Sequence, residues 1–503
     1  MPAGPHPSAE TVPAAPLSAA PAAAAPAAAA TASGAAPVHR WRWLILAVVL
    51  VAEVMDLLDA TVVTIAAPSI TSDLGGGSTT IQWLGAAYTL PFAVFLITGG
   101  RLGDLFGRRR MFVIGAAGFT VASAACACAP TPGVLLATRA IQGAFGALLI
   151  PQGFGIVKEV FPPDKIAGAF AAFGPVIGLS AVGGPILAGV LIHADLFGSG
   201  WRLIFLVNVP LGIAAVAGAA ALMPPGRRTA AGLDLPGTLI VSLAALALVF
   251  PLVEGRALGW PLWVIGLIAA GVAGFVIFAW YERRAANRGT ALVEPSLLAN
   301  GTYLNGLLVA LAFFSAFSGL MLVVSLFGQI GLGFSPLRTG FALTPLALGI
   351  AAAAPVSSGL ADRHGRVVIQ AGLVLAAGGL AGLAVSVAHA GSATTVWWLG
   401  PGLLLTGIGA GLVLPPLFQV ILAGVAEAEV GSASGVLNAV QQLASAVGFA
   451  VVGSIYFALL DRGGRSPGAA STAMSRTALI TIGLVVVALA LTVRLPRRAR
   501  SEP

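Results

Sequence analysis

Gly100-Arg-Leu-Gly-Asp-Leu-Phe-Gly-Arg-Arg-Arg110 decides how this chain is read. It lies between two long apolar runs, Ile81–Ile97 and Met111–Ala129. Gly100, Gly103 and Gly107 permit tight turns and close helix approach. Asp104 adds a negative charge, and Arg108, Arg109 and Arg110 supply positive charge where lipid headgroups would begin. The chain around it is 58% apolar and 9% charged, whereas a soluble domain is about 25% charged. Such a chain cannot cover its surface with polar groups, so its solvent is largely lipid.

About fourteen stretches are long enough to cross a bilayer as helices, each near the roughly 20 residues required. They run approximately 43–67, 81–99, 111–129, 133–157, 167–192, 202–222, 234–253, 261–281, 302–328, 339–360, 367–388, 396–418, 430–459 and 474–493. With alternating spans and a cytoplasmic N-terminus, about 19 of the 26 Lys and Arg residues fall inside and about 6 outside, with Arg139 within a span. That asymmetry follows the positive-inside rule. It also accounts for the net charge of +8 through contact with anionic headgroups. The bases are dispersed among loops rather than gathered on one domain, which argues against a nucleic-acid partner. The first 39 residues, rich in Ala and Pro, read as a disordered cytoplasmic tail. Their prolines interrupt any apolar core of the kind a signal peptide needs. Residues 496–503 read as a basic cytoplasmic tail. Cys126 and Cys128, two apart on one helix, point to nearly opposite faces and read as packing residues.

An internal repeat divides the chain. Leu102-x-Asp104-x-x-Gly107-Arg108 recurs as Leu360-x-Asp362-x-x-Gly365-Arg366, 258 residues on. Six spans with loops would separate the copies by roughly 180–200 residues, so about two extra helices lie between the halves. The first copy resembles the signature loop of the major facilitator superfamily, Gly-x-Leu-Ala-Asp-x-x-Gly-Arg-Lys/Arg, with Gly103 in place of the usual alanine. The span count resembles the fourteen-helix drug:proton antiporters of the EmrB/QacA type. Leu58-Asp59-Ala-Thr61-Val62-Val63-Thr64-Ile-Ala66-Ala-Pro68 is similar to that group's first-span signature, with Thr64 for the usual Asn and Ala67 for Leu. Arg139-Ala-Ile-Gln142-Gly143 resembles the fourth-span signature. Gly174-Pro175, Gly178, Gly183-Gly184-Pro185 and Gly189 resemble the antiporter signature, with Ser180 and Ala188 departing from it. Trp201-Arg202…Asn208-Val-Pro210 and Gly431…Ser434-Gly435…Asn438…Gln441-Gln442 resemble the sixth- and thirteenth-span entries.

The resemblance implies an all-α integral membrane protein of the major facilitator fold: a six-helix bundle over 40–223, two inserted helices and linkers over 224–299, and a second six-helix bundle over 300–495. It further implies gating by Gly100, Asp104, Gly107, Arg108, Asp362, Arg366, Gly184 and Pro185. It implies a monomer in a bacterial cytoplasmic membrane with both termini inside. Glycine and proline in the fifth span also read physically, as a thin, kinked helix past which two bundles can rock.

The first span carries the chemistry. Glu53, Asp56 and Asp59 are three residues apart, share an arc of about 120° and rise about 4.5 Å per step. Acids near the bilayer midplane are costly and usually face a cavity or a partner. Arg139 is the single deep cation, so three anions leave negative charge uncompensated. At least one carboxyl is expected to take up a proton, as a reversible proton carrier must. Depth counting puts Asp59 roughly 13 Å from the outer end of its span, Arg139 roughly 9 Å and Gln142 roughly 13 Å from theirs. Asp59, Asp56, Arg139 and Gln142 are therefore the expected proton-coupling group, with Glu53 placed to meet a cationic substrate. Ordinary interhelical hydrogen bonding is the plainer reading of the same residues.

The second half has no mid-span acid, lysine or histidine. It offers Gln329, Asn438, Gln441 and Gln442 among apolar side chains, a lining suited to bulky amphipathic small molecules. Interhelical bonding accounts for these amides about as well. A phosphate loop would need Gly-x4-Gly-Lys context, which neither Lys158 nor Lys165 has. No Ser/His/Asp or metal-ligand spacing involves the five histidines, so neither an enzyme, a cofactor nor a metal site is expected. The function read from the sequence is proton-coupled efflux of drugs or other amphipathic small molecules by alternating access. Export of an endogenous metabolite, antibiotic or lipid is the alternative, and proton-symport uptake the more distant one.

Overall fold

A computed structural model describes residues 4, 40–162, 165–166, 168–169, 172–226, 232–285, 291–426, 429–463 and 467–496. The sequence-based expectations for the tails at 1–39 and 497–503 lie outside these residues, apart from residue 4, and the side chain of Asp362 also lies outside what is described. The helices belong to the unit His39–Pro503. Its first six are α1 (Arg42–Leu74), α2 (Ser78–Phe106), α3 (Arg108–Ala127), α4 (Pro132–Val160), α5 (Phe173–Ala194) and α6 (Gly200–Leu222). Two more follow, α7 (Leu235–Leu258) and α8 (Leu262–Ala285). The rest are α9 (Gly301–Gly331), α10 (Pro336–Ala361), α11 (His364–Ala393), α12 (Val396–Ala423), α13 (Val430–Gly463) and α14 (Pro467–Leu491).

Among the described residues twelve of these are long and apolar enough to span a membrane. The other two are α1, at 33 residues, and α5, at 22. In α1 the acids lower the mean hydropathy. Local chemistry sets several starts. Thr131, Asp234, Asn300 and Ser335 accept a backbone N–H at the heads of α4, α7, α9 and α10, and proline occupies the first turn of α4, α7 and α10. Away from water each backbone group needs an internal partner, so helix persists until a residue forces it to stop.

That rule corrects one expectation. The stretch 100–110 reads as a loop, yet α2 continues to Phe106 and α3 begins at Arg108. The whole break is Gly107, at φ 95° and ψ 129°, a conformation that only glycine adopts cheaply. In the second copy helix runs on from α10 into α11, and the one non-helical residue at the junction is His364, the first of α11, at φ −134° and ψ 26°. The end of the helices bearing 100–110 is called the loop end below, and the opposite one the far end.

Within the first six helices, α4 packs on α2 and α3, and α1 on α5 and α6. Small residues let backbones approach: a Cβ on Gly143 would lie 2.2 Å from Tyr88 O, and one on Gly99 2.3 Å from Ala147 O. In the second half a Cβ on Gly349 would meet Leu404 O at 2.5 Å, and one on Gly409 would meet Gly372 O at 2.5 Å. The halves meet along α2–α13 and α5–α10. Helix α7 lies against both α2 and α13, with α8 packed on α7.

The cores show where the halves are joined. One buried cluster runs from Val62, Val63, Ile65 and Ile70 of α1 into Phe314, Leu322 and Val452 of the second half. A separate cluster at the loop end, including Ile45, Met55, Phe112 and Val157, contains buried residues of the first half only. The buried apolar seam therefore joins the halves toward the far end, whereas at the loop end only the partly buried Ala439 of the second half packs on the first-half cluster.

Candidate functional site

Helix α1 turns its acid stripe toward α2, α4 and α6, and the three acids meet three environments. Asp59 is fully buried. Its Oδ2 accepts Arg139 Nη1, and its Oδ1 accepts Gln142 Nε2 at 2.9 Å and Asn208 Nδ2 at 3.0 Å. Arg139 Nη1 also donates to Gln142 Oε1 at 2.8 Å, and its guanidinium lies 4.4 Å from the Tyr88 ring centroid. Ser123 Oγ accepts from Gln142 at 3.3 Å and Asn208 at 3.1 Å, and donates to Phe205 O at 3.0 Å. Cys126 Sγ donates to Thr138 Oγ1 at 3.2 Å and to Gln142 Oε1 at 3.6 Å, so one of the two cysteines borders this network.

Asp56 lies one turn closer to the loop end. Its Oδ1 accepts the hydroxyl of Tyr88, whose ring packs on Phe92 and Phe119. Glu53, a further turn on, makes no hydrogen bond or ion pair among the described residues and is 9% exposed. A stripe of three acids thus grades from a fully partnered carboxylate to an unpartnered one. The arrangement can hold a proton at the unpartnered end and an ion pair at the other. At the far end of α1, beyond the 43–67 span, Trp201 Nε1 and Arg202 Nη1 donate to Asp73 Oδ2 at 2.9 and 2.7 Å. These bonds hold that exposed carboxyl below its usual range.

The sequence reading brings Asp59, Arg139 and Gln142 together, and so does the structure. It passes over Tyr88, Asn208 and Ser123. Asn208 falls within a quoted motif, but nothing in its spacing points at Asp59. Tyr88 is buried on α2 at 0% exposure, and one of only four tyrosines in an apolar chain is the available signal.

The candidate gating residues fall into two groups. At the loop end Asp104 accepts Arg108 Nη2 at 2.9 Å, and Arg108 Nε reaches Glu159 of α4 at 3.2 Å. Arg101 Nη2 donates to Ala291 O at 2.8 Å, and Arg109 to Ala220 O. Gly100 has only Pro151 Cβ near, at 3.8 Å from an added Cβ, so space does not demand glycine there. At Gly103, the departure from the resembled signature, an added Cβ would lie 1.8 Å from Gln152 Oε1. Arg366 makes no hydrogen bond or ion pair among the described residues. Between α1 and α5 an added Cβ on Gly184 would sit 2.1 Å from Thr61 Oγ1. Across the halves a Cβ on Gly340 of α10 would sit 2.4 Å from Pro185 O.

The second-half amides separate likewise. Gln329, in a π-turn at the end of α9, donates to Ile65 O of α1 at 2.9 Å and to Ser325 Oγ at 3.0 Å, while Ser325 donates to Thr64 O at 2.8 Å. Its amide bridges the halves at the far end. Asn438, Gln441 and Gln442 of α13 are half-buried, and their side chains have no hydrogen-bond partner among the described residues. Gln82 was not singled out by sequence, yet its Nε2 donates to Ala450 O and Ser454 Oγ of α13, each at 3.0 Å.

Residues 49–449 match the family model for the Major Facilitator Superfamily. A protein of Streptomyces coelicolor named "Probable actinorhodin transporter" is 48% identical, the match covering 84% of this chain and 74% of that one. The puromycin resistance protein pur8 of Streptomyces alboniger is 37% identical over 82% of each chain. Multidrug resistance protein Stp of Mycobacterium tuberculosis is 33% identical over 81% of this chain and 74% of that one. In fold, the chain is similar to the crystal structure of a POT family transporter in complex with 5-aminolevulinic acid: TM-score 0.64, 16% identity, covering 89% and 96% of the two chains.

Proposed function

This chain belongs to the major facilitator superfamily, and we propose that it exports amphipathic small molecules of the antibiotic kind in exchange for protons. The observation that carries the reading is the graded acid stripe of α1. Asp59 is closed off by Arg139, Gln142 and Asn208 while Glu53 stands unpartnered two turns away. The names of the relatives support the class of cargo. Unpartnered Asn438, Gln441 and Gln442 give an apolar cargo a few polar contacts.

In this reading the protein is a monomer in a bacterial cytoplasmic membrane, with the loop end and both termini inside. Residues 40–223 and 300–495 rock as two bodies, and 224–299 carries the inserted pair. The continuous far-end seam then closes the outer side, and the halves part toward the cytoplasm. The asymmetry of the basic residues supports that orientation. Reconstituted protein with an imposed proton gradient, inside acidic, should accumulate a fluorescent amphipathic cation in inverted vesicles, and a protonophore should abolish the uptake. Uptake that survives the protonophore and responds to ATP would overturn the proposal.

A second reading concerns whose antibiotic is carried. The 48% relative bears the name of a probable actinorhodin transporter. Export of one endogenous metabolite or antibiotic is the reading this name favours over broad drug defence. Resistance conferred on a sensitive host to one compound class, and not to a wide panel, would fit it. Equal protection against unrelated compounds would reject it.

A further inference from the structure

The inserted pair holds a second buried acidic constellation that the α1 stripe does not use. Asp234 caps α7: its Oδ1 accepts Gly237 N–H at 2.9 Å and the Tyr281 hydroxyl at 2.8 Å. Glu282 of α8 is completely buried, and its Oε2 accepts Val293 N–H at 3.0 Å. The remaining oxygens, Asp234 Oδ2 and Glu282 Oε1, are buried and accept no hydrogen bond among the described residues. Both face one small space. A Cβ added to Gly237 would stand 2.2 Å from the first and 2.8 Å from the second. Two orphaned carboxylate oxygens turned into the same void lack a hydrogen between them.

Among the described residues the surroundings supply no counter-charge. Tyr281 faces the pair from α8 and is a neutral donor. From α2, Arg101 is spent on Ala291 O at 2.8 Å and lies 4.0 Å from Glu294. Arg283 turns to Leu298 O at 3.4 Å, and Arg284 stacks 3.8 Å from the Trp280 ring centroid. Among the described residues no Lys, Arg or His makes an ion pair with Asp234 or Glu282. Two adjoining buried carboxyls without a cation cannot both be ionised cheaply; aspartic proteases meet the same constraint by sharing one proton. The surrounding N–H and O–H donors fit acceptors that share a proton and leave no lone-pair cage for a metal ion.

We infer that Asp234 and Glu282 form a proton-binding site, one proton bridging Asp234 Oδ2 and Glu282 Oε1, and that this proton fastens the inserted pair to the loop end of α2. The proton comes from water at the loop end. It forms an O–H bond to one carboxyl and donates to the other, leaving the pair with a single negative charge. Glu282 in turn fixes Val293, and the segment 291–294 reaches α2 through Arg101. The Oγ1 atoms of Thr98 and Thr238, 3.0 Å apart, tie α7 to the same end of α2. Loss of the proton puts two negative charges in one void, pushes α8 from the head of α7 and frees 291–294. The helix that carries the 100–110 stretch is thereby clamped in a pH-dependent way. The inference does not rest on the export reading, because its test needs no substrate.

Amide hydrogen exchange of residues 291–299 in purified full-length protein, corrected for the intrinsic rate, is followed between about pH 5 and 9. Protection in the native protein is expected to fall about tenfold or more as pH rises, the scale of one lost buried hydrogen bond to a charged group. Glu282→Gln supplies an amide N–H in place of the proton, so its protection should stay nearly constant with pH. Flat protection in the native protein, or a Glu282→Gln variant that follows the native pH course, overturns the inference. Should that variant misfold, infrared spectroscopy serves instead. In a Glu53→Gln/Asp56→Asn background a protonated-carboxyl band should persist at low pH and vanish on adding Asp234→Asn. Absence of the band, or its survival in the triple variant, overturns the inference equally.

Discussion

The two copies of the internal repeat share a backbone device and differ, among the described residues, in their polar contacts. Each joins two long helices through a single break, Gly107 in one and His364 in the other. Around the first copy Arg108 lies between Asp104 and Glu159, and Arg101 and Arg109 are bonded to carbonyls of other segments. Around the second, Arg366 has no such bond among the described residues. The same division runs through the spans. The first half holds the Asp59–Arg139–Gln142–Asn208 network, and the second half offers partly buried amides. A tight turn needs only backbone geometry, so it survives without its charges. The proposed function accordingly assigns electrostatics to the first half and cargo contact to the second.

The strongest way to break that division is at Asp59. Asp59→Asn should lower proton-coupled transport by at least about 100-fold, equivalent to ~2.7 kcal/mol. It should also destabilise the fold, because an unpaired buried Arg139 costs about 3–5 kcal/mol. Asp59→Asn/Arg139→Gln should recover stability and not transport. Thermal unfolding and substrate-induced proton release from the same preparations separate the two effects. A double variant that regains coupled transport would show that the pair is structural only.

The next effect contrasts the two copies directly. Asp104→Asn or Arg108→Gln should reduce flux about tenfold or more with normal membrane insertion. Arg366→Gln should stay within about threefold of the native rate, as exposed or unpaired charges contribute little. Equal losses in both copies would erase the asymmetry. Initial rates in vesicles, normalised to protein amount, are the measurement.

Much of this was readable without coordinates. Fourteen spans followed from apolar length, and Asp59, Arg139 and Gln142 followed from counting depth along antiparallel helices, since 1.5 Å per residue converts sequence directly into height. Height is not azimuth, however. Tyr88 and Asn208 reach the acids only because α2 and α6 are rotated to face α1, which no spacing within either helix encodes. The loop at 100–110 was misread because its charges suggested a break in helix, whereas long side chains can reach the headgroups from an intact one. Gln329 looked like a cavity amide on composition alone, and its bond to Ile65 O depends on a π-turn that the residues do not announce. Asp234 and Glu282 lie in helices outside the repeat, so the symmetry that guided the reading passed them by.

A third, narrower effect separates the acids within the first half. Glu53 lacks the partners of Asp59, so Glu53→Gln leaves no buried charge uncompensated and should not destabilise the fold measurably. It should weaken transport of cationic compounds about tenfold, the scale of one lost charge-assisted contact, while neutral compounds keep their rates within about twofold. A panel of matched cationic and neutral amphiphiles decides the matter. Uniform loss across the panel would place Glu53 with Asp59 in the proton path.

The smallest effect is expected where the second half touches the first. Gln329 donates one amide hydrogen bond to Ile65 O and one to Ser325 Oγ, and Ser325 donates to Thr64 O at the far end. A neutral hydrogen bond contributes about 0.5–1.5 kcal/mol net. Gln329→Ala therefore shifts the balance between far-end-closed and far-end-open forms about two- to tenfold toward opening and leaves the order of substrate preference unchanged. Asn438→Ala should do the reverse: it alters preference among substrates and leaves the balance alone, because among the described residues its amide bonds to nothing across the seam. Cysteines placed at Thr71 and Leu337, near the far end, report opening by their accessibility to a membrane-impermeant thiol reagent, in a background where Cys128 is replaced by serine. If Gln329→Ala changes preference without changing that accessibility, Gln329 belongs with the cargo surface after all, and the line between a gating first contact and a cargo-lining second half has been drawn in the wrong place.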